Sequence, residues 1–80
     1  MAKREKLIQR FRNNDKNVRF EEINGLLIDL GFDKKSSGSH FVYKLSGYII
    51  TIPFREPFIL PVYVKKVLQI IDELQSDDQV

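Results

Sequence analysis

Eighty residues with 42% hydrophobic and 30% charged side chains describe one small globular domain, too short to wall a deep substrate cavity. The absence of cysteine excludes disulfide staples, thiolate zinc sites and a cysteine nucleophile, and a single histidine, His40, excludes a multi-histidine metal centre. Formal net charge is only +2, yet residues 1–17 set Lys3, Arg4, Lys6, Arg10, Arg12 and Lys16 against Glu5 and Asp15, while Asp72, Glu73, Asp77 and Asp78 carry no nearby cation.

The first predicted helix spans roughly Lys3–Asn13, with Leu7, Ile8 and Phe11 on one face and basic residues around them. Asn13-Asn14-Asp15 is poor helix sequence and marks the break. These first seventeen residues read as a basic helical extension. They lack the apolar core of a signal peptide, and no apolar run in the chain reaches transmembrane length, so no membrane association is expected.

A second helix is predicted from about Arg19 to Leu30, where Phe20, Ile23, Leu27 and Leu30 recur at helical spacing. Glu21 and Glu22 suit its positive N-terminal end, and Gly31 is placed to stop it in the left-handed conformation. Gly25 weakens the middle and would admit a close neighbour.

Period-two patterning follows in 32–36, 39–45 and 48–53, separated by Ser37-Gly38 and Ser46-Gly47. Each Ser-Gly pair suits a two-residue hairpin loop, giving an antiparallel meander. Counting across Ser46-Gly47 opposes Leu45 to Tyr48, Tyr43 to Ile50 and Phe41 to Ile52, all on one apolar face. Counting across Ser37-Gly38 adds Phe32 opposite Tyr43. The other face then holds Lys35, His40, Val42, Lys44, Thr51 and Pro53, with His40 paired to Lys35 and to Pro53. Arg55 follows on that face if the chain stays extended.

Pro61 fits the first turn of a last helix along which Val64, Val67, Leu68, Ile71 and Leu74 repeat. Residues 76–80 read as an acidic, frayed tail. The expected fold is α+β, ordered α-α-β-β-β-α, with helices on one face of a three-stranded antiparallel sheet and the other face open.

No Gly-rich phosphate loop, nucleophile elbow, HExxH motif or carboxylate cluster appears, and Asp29 and Asp33 are too scattered for a two-metal site. No metal or cofactor is therefore expected, and catalysis would rest on His40 with the cations near it. An imidazole can take a proton from a nucleophile or give one to a leaving group near neutral pH, and Lys35 or Arg55 could neutralise a phosphate. RNA suits so spare an apparatus, because its 2′-hydroxyl supplies the nucleophile. The same residues also suit a plain solvated surface. Tyr43 and Tyr48 fall on the packed face, so they read as core rather than as base-stacking platforms. Lys65 and Lys66 could reach a phosphate or form the wet side of the last helix, and Ser36, Ser37 and Ser39 suit turn chemistry.

Gly31-Phe32, a polar spacer, Gly38-Ser39-His40 and Tyr43 together resemble the GF…GSH…Y signature of the HicA (YcfA-like) toxin family. Thr51-Ile52-Pro53 is similar to that family's TIP, and Leu60-Pro61 through Val64-Lys65 and Val67-Leu68 to its proline-started last helix, the match covering roughly residues 20–71. The resemblance implies a double-stranded-RNA-binding-domain-like fold and a HicA-like catalytic domain over 18–75. It also implies a bacterial, cytoplasmic mRNA interferase that cleaves with His40 and is neutralised by a HicB-type antitoxin over the catalytic face. It adds Ser39 and Lys65 to Lys35 and Arg55 as RNA-binding candidates. Many members carry a second histidine shortly after the TIP proline; Phe54 and Arg55 stand there in this chain, and residues 1–17 extend beyond the family's minimal domain. A non-catalytic RNA-binding module and a degenerate toxin that only binds its antitoxin are the alternatives.

Overall fold

The computed structural model describes residues 2–78, with side chains from Arg4 to Gln75. Helix α1 (Ala2–Asn13) and helix α2 (Phe20–Asp29) precede strands β1 (Asp33–Ser37), β2 (His40–Leu45) and β3 (Tyr48–Pro53), and helix α3 (Pro61–Asp78) follows. The sheet is an antiparallel meander in the order β1-β2-β3. The architecture is thus α+β in the expected sequence α-α-β-β-β-α. Helix α3 stays helical through Asp78, where a frayed tail was expected from residue 76, while residues 79–80 lie outside the described part.

Each helix boundary has a local cause. Helix α1 ends as the asparagines begin, and the Asn14 side-chain oxygen accepts the Lys16 amide at 3.0 Å, an Asx turn that competes with further helix. At the start of α2, Glu22 reaches back to accept the Arg19 amide at 3.0 Å; the guanidinium of Arg19 has no acceptor to return the favour, so only half of a capping box forms. At its end the Gly31 amide donates to Ile28 and the Phe32 amide to Leu27, both at 3.0 Å, with Gly31 at φ +102°. That is a Schellman closure, and its left-handed residue is a glycine because a Cβ there is strained. Gly25 does not serve the close packing expected of it. A Cβ built on it would meet only open space.

One core gathers residues from every helix and from the inner face of the sheet. Phe11 of α1, Ile23 and Leu27 of α2, Tyr43 of β2, Ile52 of β3, and Val64 and Val67 of α3 are all fully buried. Helix α1 is therefore packed into the same core as the segment that follows it, Phe11 alone contributing about 1.5–3 kcal/mol of apolar burial. Tyr43 keeps its polar end satisfied inside: its hydroxyl donates to the Asn24 side-chain oxygen at 2.6 Å. Burial pushes that phenol's pKa up to about 12.

The β2–β3 register is the expected one, with Leu45 opposite Tyr48, Tyr43 opposite Ile50 and Phe41 opposite Ile52. Ser46 (φ +49°) and Gly47 (φ +86°) both take the left-handed conformation that a type I′ loop requires. The β1–β2 register differs from expectation. The loop is Gly38-Ser39, so Ser37 faces His40, Lys35 faces Val42 and Lys34 faces Tyr43. Gly38 is at φ +63°, and a type II′ loop wants its glycine first, whereas the sequence reading placed it second. Phe32 is consequently not a ladder partner of Tyr43. It is buried just before β1 begins.

Candidate nucleic-acid interface

Because the inner face of the sheet is committed to the core, alternate residues form an open outer face. Across the strands it runs Ser37–His40–Pro53, then Lys35–Val42–Thr51, then Asp33–Lys44–Ile49. His40 is exposed at the first position of β2, beside the turn, and Ile49 is 61% exposed at the far end. Lys35 stands on the same face as His40 but diagonally, at the separation of about 7–8 Å usual for such neighbours, rather than directly opposite as expected. Ser37 takes the position opposite His40.

Ser39 lies in the turn itself, and its carbonyl accepts the Phe54 amide at 2.7 Å. This bond carries the β2–β3 pairing one step past Pro53 and fixes the chain beyond β3 against the residue preceding His40. The strand ends at Pro53, so Arg55 does not continue the open face. It lines a cleft of about 420 Å³ with Arg19, Phe20 and Glu21 at the start of α2, and with Phe54 and Glu56. Lys65 is not brought to the sheet. Its ammonium, on a side chain 72% exposed, lies 3.6 Å from the carboxylate of Asp15 in the α1–α2 connection.

Two further cations lie near this surface, neither of them among the RNA-binding candidates read from the sequence. Lys44 shares the outer face with His40, as strand alternation placed it. Lys34 stands on the inner side at the sheet edge, its ammonium 4.8 Å from the centre of the Phe41 ring and 5.8 Å from that of Phe20. That is a cation–π contact, formed where a charged residue must cover an aromatic edge.

The three arginines of the basic N-terminal segment are matched within the molecule. Arg4 pairs with Asp29 at 2.6 Å, Arg10 with Glu22 and Arg12 with Asp72, so one of the acids of the C-terminal stretch is held against the cations at the other end of the sequence. The Arg4 and Arg12 guanidiniums hold the carboxyls of Asp29 and Asp72 below the usual range. Lys35, Lys44, Arg55 and Arg19 take part in no ion pair among the described residues. Lys6, Lys16, Lys34 and Lys66 are likewise outside these pairs, so the open face and the cleft hold part of the unmatched positive charge, alongside Asp33, Glu21 and Glu56.

Chemically, the face offers one exposed imidazole for proton transfer, hydroxyls from Ser37 and Thr51, and two ammonium groups for anionic oxygens. No group of three or more metal-ligating side chains comes together among the described residues, and no helix of them is long and apolar enough to cross a membrane. No protein-family model, curated protein or solved structure matches the chain.

Proposed function

We propose that this chain is a metal-independent endoribonuclease of the HicA toxin type, acting on mRNA in the bacterial cytoplasm from a double-stranded-RNA-binding-domain-like fold. The observation that carries the reading is the position of His40: exposed, on the open face of the sheet, with Lys35 and Lys44 on the same face. Lysines there would hold the phosphates on either side of a scissile linkage. His40 would take the proton from a ribose 2′-hydroxyl as that oxygen attacks the adjacent phosphorus, or give one to the departing 5′-oxygen as its bond to phosphorus breaks. The products are a 2′,3′-cyclic phosphate and a free 5′-hydroxyl. A HicB-type antitoxin that silences the activity would present acidic or hydrogen-bonding groups to this face.

The decisive experiment is cleavage of mRNA in chelator by wild type and His40→Ala, together with growth after induced expression. Loss of a general acid–base group lowers the rate by about 10²–10⁴-fold. Equal cleavage by the two proteins would remove His40 from the mechanism. Salt-sensitive binding without scission by wild type would instead assign the face to a non-catalytic RNA-binding module.

A further inference from the structure

The end of the sheet next to His40 carries a feature that proton transfer and phosphate binding leave unused. Phe54 is an exposed aromatic (43%) just past the end of β3, its ring on the helix side of the sheet rather than on the face of His40. Its ring packs at 5.2 Å and 70° on Phe20, which in turn packs at 4.9 Å on Phe41. The cleft beside it is lined by Arg19 and Arg55 and by Glu21 and Glu56. At about 420 Å³ it is within the size range of small-molecule sites. The Phe54 amide is bonded to the Ser39 carbonyl, so the cleft begins one residue from the histidine.

We propose that this cleft is a nucleobase subsite, in which a guanine of single-stranded RNA stacks on Phe54 while its phosphate backbone crosses the sheet end toward His40. Phe54 is available as a stacking platform, its ring held by the edge contact with Phe20. An arginine plane covers the second face of a stacked base, as guanidinium does on aromatic rings generally. The carboxylates choose the base. A carboxylate only accepts hydrogen bonds, and guanine alone presents two adjacent donors, N1–H and the 2-amino group, on its Watson–Crick edge; adenine places a lone pair where guanine has N1–H. The two arginines supply the charge that lets an RNA strand approach carboxylates at all.

The inference deepens the ribonuclease reading by naming the base taken beside the reacting phosphate, and it is tested apart from cleavage. Fluorescence anisotropy of short labelled uridine-rich RNAs, carrying a single central guanosine, inosine or adenosine, is measured with the His40→Ala protein. Guanosine is expected to bind about ten-fold more tightly than adenosine, with inosine, which lacks the 2-amino group, in between. Adding Phe54→Leu, which keeps an apolar contact for Phe20 but no stacking plane, is expected to weaken all three by about ten-fold. Adding Glu21→Gln with Glu56→Gln is expected to abolish the preference for guanosine while leaving stacking in place. Equal affinity for guanosine and adenosine, or binding unmoved by Phe54→Leu, overturns the proposal. If wild type cleaves long RNA without regard to guanine or Phe54, the subsite alone fails. If the binding pattern holds while wild type cleaves nothing, the nuclease reading fails and the subsite stands.

Discussion

Ile49 and Ile52 belong to the same strand and to the same residue type, yet one is 61% exposed and the other is sealed in the core. They lie three positions apart on an extended chain, an odd offset that turns one toward water and the other toward the helices. The inner face, with Tyr43, Ile50 and Ile52, holds the fold together. The outer face, with His40, Lys35 and Lys44, is relieved of that task, which leaves its residues available for chemistry. Stability and function should therefore respond to different sets of substitutions in the same three strands.

The largest effect should come from the sharpest form of this contrast. Ile52→Ala is expected to cost about 2–5 kcal/mol of unfolding free energy through lost burial and a residual cavity, while Ile49→Ala should stay within about 0.5 kcal/mol. Denaturant titration of the pair checks it, and equal losses would erase the distinction between the faces. Tyr43 offers a subtler probe, because burial raises its pKa to about 12. Between about pH 10 and 12 the unfolded phenol has lost its proton and the folded one has kept it. Unfolding then releases a proton, so stability declines as pH rises through that window. Tyr43→Phe should lower stability at neutral pH by about 0.5–1.5 kcal/mol for the lost bond to Asn24, and should flatten the alkaline decline in thermal melts. The smallest effect belongs to Glu22. Burial raises its pKa, but the Arg19 amide and Arg10 outweigh that and leave it lowered overall. Its contribution is present at neutral pH and lost as pH falls through the carboxylate range. Glu22→Gln should thus cost well under the Ile52 change at pH 7, and the difference from wild type should shrink in acid.

Much of this arrangement was readable from the sequence where local chemistry and hydrophobic pattern agreed. Ser46-Gly47 between two alternating segments fixes β2–β3, because both the glycine-second loop and the six apolar partners demand one register. The first hairpin lacked that agreement. Its β1 residues, Asp33 to Ser37, are all exposed and carry no apolar alternation, so nothing in the pattern opposed a loop placed one residue early. The early loop put Lys35 opposite His40, where the structure has it diagonal, and kept Ser37 in the turn, where the structure has it opposite His40. Arg55 and Phe54 were illegible for another reason. The path of the chain beyond β3 is set by the Phe54–Ser39 bond and by the packing of Phe54 on Phe20 of α2, neither of which is encoded in periodicity. The role of α1 was half visible: its apolar stripe could be seen, but not that Phe11 would enter the common core or that Arg12 would find Asp72 sixty residues away.

The loop after β3 is tethered at both ends by main-chain atoms, through the Phe54 amide to Ser39 and the Ile59 amide, at 2.9 Å, to the carbonyl of Val18. Such tethers are indifferent to the identity of the side chains strung between them. Positions 55 and 56 can therefore be recoded without breaking either main-chain tether.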